Sequence, residues 1–216
     1  MNSPNCEQRK EDSQTTTTTT TSPPTSTSTS TSSYSSSSSY TPPLLEVCVD
    51  NVISAECAAA NGAHRIELCS SLIEGGLTPS YGLIRSVRSA ISSSPMKLMV
   101  LIRPRSGDFV YTPTELSTMR DDIDICRKLG VDGVVFGILT PNGEIHRQAM
   151  IELIQYSQPM EVTFHRAIDM TRDIEGSIKT LCELGIKRVL TSGGCGDAIK
   201  GQQIIQVRMH MDKKGK

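Results

Sequence analysis

The 216-residue sequence has no tryptophan and only three phenylalanines, with hydrophobic residues at 37% and aromatics at 4%. Those values are low for a packed globule unless the deficit is local. It is local. Between Ser13 and Thr41, 24 of 29 residues are Ser or Thr, and such a stretch cannot bury enough apolar surface to offset its ordering entropy. Residues 1–43 are therefore read as a disordered, solvating tail, and residues 44–216 as the folding part, long enough for a sizeable core.

Other absences narrow the function. Outside the tail the basic and acidic residues cancel at 20 each, so no electrostatic footprint for nucleic acid or an anionic membrane is present. No apolar run approaches the length of a transmembrane helix. The N-terminus lacks the apolar segment of a secretory signal. Seven scattered cysteines, an odd number without a CxxC pair, read as reduced thiols rather than a disulfide framework, which places the protein in the cytoplasm.

What is present is a regular alternation. Strand-like runs fall at Leu45–Val49, Arg65–Cys69, Leu98–Arg103, Gly133–Leu139, Val162–Arg166 and Arg188–Thr191. Helical periodicity lies between them, near Val52–Asn61, Tyr81–Ser89, Thr114–Leu129, Arg147–Tyr156 and Ile174–Leu184. Asn61-Gly62-Ala63, Leu129-Gly130-Val131 and Leu184-Gly185-Ile186 repeat one helix-to-strand junction, with glycine where a helix ends. Repeated βα units specify a parallel sheet. In Leu45–Asp50, Arg65–Cys69 and Val162–His165 polar and apolar residues alternate. Alternation in parallel strands means helices on one face and a barrel interior on the other, the α/β architecture of a (β/α)8 TIM-type barrel. An open doubly wound sheet stays an alternative, because the third and fourth strands are apolar on both faces in their first halves. The strand starts are about 29 residues apart, so eight units would run to roughly residue 275. About six units are expected, an incomplete barrel.

In a barrel the strand ends converge on one mouth. The expected catalytic set is Glu46, Glu67, Arg103 and His165, with His165 and a glutamate transferring a proton. Arg103 and Arg105 would clamp a small anionic ligand, and Asp108, Asp169, Ser192 and Gly193 complete the binding set, with glycine-rich backbone approaching the anion. The alternative is that the charged residues form a self-neutralising ion-pair network.

The segments LLEVCVD (44–50), GAHRIELCSSLIEGGLTPSYG (62–82), IRPRSGDFVY (102–111), GVDGVVFGILTPNGEI (130–145), VTFHRAIDM (162–170) and RVLTSGG (188–194) resemble the CutC copper-homeostasis family. The resemblance implies a (β/α)8 barrel, often homo-oligomeric and cytoplasmic, that binds Cu(I). The family's copper thiols fall on Cys48 and Cys69. A soft ion of this kind prefers thiolates, and two thiols of matching parity on adjacent strands are close enough to share one. Against this stands the ordinary fate of a small buried cysteine as core filler. Two other functions stay open, a barrel enzyme acting on a small anionic metabolite and a truncated isoform with neither activity.

Overall fold

The computed structural model describes residues 43–211, with side chains as far as Gln206. The Ser/Thr-rich tail, Pro43 apart, lies outside the described residues. Six strands alternate with six helices. The strands are β1 (Glu46–Val49), β2 (Arg65–Leu68), β3 (Lys97–Leu101), β4 (Gly133–Phe136), β5 (Glu161–Phe164) and β6 (Arg188–Val189). The helices are α1 (Val52–Ala60), α2 (Tyr81–Ala90), α3 (Pro113–Lys128), α4 (Arg147–Ser157), α5 (Ile174–Glu183) and α6 (Gln202–Met211).

All strand pairs are parallel and follow chain order, β1-β2-β3-β4-β5-β6. A doubly wound sheet reverses its strand order at a switch point; this sheet never does. It curls as a half-barrel with helices outside. Among the described residues no strand pairs with the outer edge of β1 or β6.

Local chemistry explains the element boundaries. Asn51, Ser80 and Asp173 each accept a backbone N–H of the first turn of α1, α2 and α5, satisfying donors that a helix start leaves orphaned. Thr112 and Glu115 cap α3 reciprocally, with Pro113 as its first residue. At the other end, α1, α3 and α5 stop in the same Schellman geometry. Gly62, Gly130 and Gly185 take φ of +79°, +65° and +77°. The following residue in each case donates back across the last turn: Ala63 to Ala58, Val131 to Cys126, Ile186 to Leu181. The repeated sequence junction is thus one structural device used three times.

The main core lies between the sheet's outer face and the helices. Ile66, Leu68, Leu98, Val100, Val134 and Phe164 point into it and are fully buried, each contributing about 1.5–3 kcal/mol of hydrophobic stabilisation. A second, smaller cluster of Cys69, Met99, Leu101 and Val135 fills the inside of the curl. It accounts for the two-sided apolar character of β3 and β4, which face helices on one side and this inner plug on the other.

Candidate functional site

The inner face has two ends. Where the strands begin, its charges are neutralised within the protein. Glu46 on β1 pairs with Arg65 on β2. Glu161 on β5 accepts Lys97 at 2.9 Å and also pairs with Arg188 on β6. Gly133 lies between Met99 and Glu161 in the sheet register; a Cβ there would sit 2.2 Å from the Met99 methyl and 2.6 Å from the Glu161 carbonyl, so the Met99 side chain occupies its place. With hydrogen bonds from Lys97 and Arg188, the Glu161 carboxyl falls to about 2.

Where the strands end, the polar groups are finished differently. Cys48 Sγ on β1 and Cys69 Sγ just beyond β2 approach to 3.7 Å. Cys69 is wholly buried and Cys48 is exposed. The loop from Ser70 folds back over Cys69: Ser70 and Leu77 bridge, and Gly76 at φ +90° would place a Cβ 2.7 Å from Leu101 and 3.5 Å from the Cys69 sulfur. Only a residue without a side chain closes that lid. The two thiols ionise as a unit. The hydrogen bond from Cys48 draws the Cys69 thiol below its ordinary range, and the same bond, with burial, pushes Cys48 well above it. Opposite Cys48 in the sheet register and two residues before Cys69, Glu67 is buried without a hydrogen bond among the described residues. Burial, reinforced by Glu46, raises its carboxyl to about 7. Among the described residues no three His, Cys, Asp or Glu side chains gather as a metal-holding group, so the close thiols stand as a pair.

Arg103 is also buried at the mouth. Its guanidinium donates to the carbonyls of Glu74 at 2.8 Å, Gly76 at 3.0 Å and Gly107 at 2.9 Å, tying the loop after β2 to the loop after β3. Its Cζ stands 5.0 Å over the Phe109 ring, and the other side of the contact is His165, whose ring centroid is 4.8 Å from that of Phe109. His165 Nδ1 accepts the Ala167 N–H at 3.2 Å, which leaves the ring proton on Nε2. Burial, with Arg103 nearby, depresses its pKa to about 3.

The expected site residues are not all brought together. His165 presents Nε2–H, because its Nδ1 accepts the Ala167 N–H. Glu46 does not join it, being paired with Arg65 at the opposite end of the strands. The two-arginine clamp is not built either. Arg105 turns outward and is engaged by Glu115, by Asp108 at 3.0 Å and by the Val110 carbonyl at 2.8 Å, so Arg105 and Asp108 shape their own loop. The glycine-rich turn after β6 already holds an anion, the protein's own. Asp169 accepts the N–H groups of Ser192 and Gly194 at 3.0 Å each and the Thr191 hydroxyl at 2.6 Å, while the Gly193 N–H donates to Thr191. Asp169, Ser192 and Gly193 therefore staple the loop to the 3-10 turn at Arg166–Met170.

The sequence profile of the CutC family matches residues 43–214. The chain belongs to the CutC family. A CutC family protein of Bacteroides thetaiotaomicron is 52% identical over 148 residues, covering 68% of this chain and 59% of that protein. The human copper homeostasis protein cutC homolog is 44% identical over 173 residues, 80% of this chain and 62% of its own length. A solved CutC structure from Streptococcus agalactiae superposes with a TM-score of 0.73 at 34% identity, over 77% of this chain and 81% of that one. The chain spans about three fifths of the length of the curated relatives it matches.

Within this CutC chain the mouth contains two residues that sequence reasoning passed over. Phe109 bridges Arg103 and His165, and Tyr111 lies buried under Arg105 at 5.3 Å from its Cζ. Both stand in the stretch IRPRSGDFVY, where two aromatics in a chain so poor in them were the available signal.

Proposed function

We propose that this chain takes part in copper homeostasis by binding Cu(I) through Cys48 and Cys69 in the cytoplasm. The observation that carries the reading is the 3.7 Å approach of the two sulfurs. A soft monovalent ion is held by thiolates in preference to nitrogen or oxygen donors, and this pair stands on two adjacent strands of a rigid sheet. Its asymmetry suits capture: Cys48 meets solvent and Cys69 lies beneath the Gly76 lid. Ligation displaces thiol protons, and the hydrogen bond between the two thiols favours losing the first of them. The copper homeostasis names of the human and mouse relatives point the same way. A reducing compartment is part of the proposal, since two thiols in contact oxidise together in a secretory one.

The test is competition for Cu(I) between the full chain and a colorimetric chelator. Cys48→Ser and Cys69→Ser should each weaken binding by more than about a hundredfold, beyond the range of changes around a ligand shell. Cys126→Ala, in the core, and Cys182→Ser, on the surface, should leave the affinity in place. Equal losses from all four would mean nonspecific thiol binding and end the proposal.

A further inference from the structure

Three buried polar atoms of this protein have no hydrogen-bond partner among the described residues: Arg103 Nε, Tyr111 Oη and His165 Nε2. Their residues are 6%, 9% and 5% exposed. A buried polar group without a partner loses its hydration with nothing in return, and orphaned groups are few in native structures. Arg103 neighbours the other two. Phe109 contacts both Arg103 and His165. The Arg103 guanidinium is close enough to Tyr111 and to His165 to act on the ionisation of each.

All three atoms can donate, and among the described residues no carboxylate or carbonyl accepts from them. Arg103 places three of its five N–H groups on carbonyl oxygens, and its Nε–H is among those left over. His165 presents Nε2–H, because Nδ1 is occupied by Ala167. Tyr111 keeps its O–H. Among the described residues no carboxylate pairs with Arg103, so the group as a whole carries one uncompensated positive charge. We propose that Arg103, Tyr111 and His165 form a binding site for the carboxylate of a small monoanion. The match is one of charge and of lone pairs. A carboxylate carries one negative charge and offers its two oxygens to several donors, whereas a phosphate dianion would exceed the single positive charge. Phe109, half-buried between Arg103 and His165, covers the site. It is carried on a loop pinned at Leu139, whose N–H donates to the Phe109 carbonyl. This site makes no use of the thiols, so it stands or falls separately from copper binding.

The experiment is a titration of the full chain, labelled with 15N in histidine, with sodium acetate at constant ionic strength. The His165 Nε2–H resonance is the readout, and sodium chloride and inorganic phosphate form parallel arms. Acetate should shift the resonance saturably, and the two other salts should not. Tyr111→Phe removes the hydroxyl and keeps the ring, so it should still unfold cooperatively yet bind acetate about tenfold more weakly, the scale of one hydrogen bond to a charged group. His165→Gln, which keeps an N–H donor, should retain binding that His165→Leu loses, followed for these variants by acetate-dependent thermal shift. An equal response to chloride, saturation by phosphate in place of acetate, an absence of saturation, or a Tyr111→Phe affinity equal to the parent's would each overturn the assignment.

Discussion

The strand-start end and the mouth of the inner face use the same residue types to opposite effect. At the start, Glu161 lies between Lys97 and Arg188, and Glu46 meets Arg65. At the mouth, Glu67 is buried without a hydrogen bond among the described residues, Arg103 is buried without a carboxylate, and the Cys69 thiol has only Cys48 and the Val49 carbonyl. Polar groups that satisfy one another stabilise or orient the fold; polar groups held dry and unmatched are retained at a cost, and that cost marks where a ligand is expected. The difference follows the general asymmetry of βα barrels, in which chemistry gathers at the strand ends.

The largest break in the comparison should come from its two inward glycines. Gly133→Ala drives a Cβ to 2.6 Å from the Glu161 carbonyl, a backbone atom that cannot rotate away. Loss of about 3 kcal/mol or more is expected in urea unfolding, at or above the usual range for overpacking. Gly137→Ala at the mouth meets the His165 ring at 2.8 Å and Phe164 at 2.9 Å. Both are side chains, so the loss should be smaller, about 1–2 kcal/mol. A greater loss for Gly137 would mean that the mouth is the more rigid end.

The two glutamates should separate by the sign of their pH dependence. The folded state raises Glu67 from 4.5 to about 7. Its contribution is therefore complete below pH 4.5 and falls as pH rises through about 7. Glu67→Gln should be more stable than the parent at pH 8, by about 1–3 kcal/mol, and should lose that advantage at pH 4. Glu161 is lowered from 4.5 to about 2. Its contribution is present above pH 4.5 and disappears as pH falls towards 2. Glu161→Gln should thus be the less stable protein at pH 7, by on the order of 1 kcal/mol because the carboxylate is partly in water, and equal to the parent in strong acid. Chemical denaturation across pH 3–8 measures both, and slopes of the same sign would erase the distinction between the ends.

Much of this molecule was legible in advance. The six strands, the five helices between them and the three glycine junctions lie within a few residues of where periodicity and capping chemistry put them, because hydrogen bonds within a turn and the φ of one glycine are local matters. Strand parity also placed Cys48, Glu67 and His165 on the inner face. The roles were less legible. Nothing local distinguishes Arg103 from Arg105, two residues apart in one loop, yet the first is buried among carbonyls and the second is bound to Glu115.

The sequence by itself determined the βα repeat, the parity of each strand and the family, since these depend on spacing, capping residues and ordered motifs. Tertiary structure alone decided which polar groups are answered. It brought Lys97 and Arg188 to one carboxylate across three strands, filled the Gly193 turn with Asp169, and left Arg103 Nε, Tyr111 Oη and His165 Nε2 without a hydrogen-bond partner among the described residues. The physical reason is that a hydrogen bond or ion pair is satisfied by whatever stands within about 3 Å, and residues 27 to 64 positions apart reach that distance only when the sheet curls.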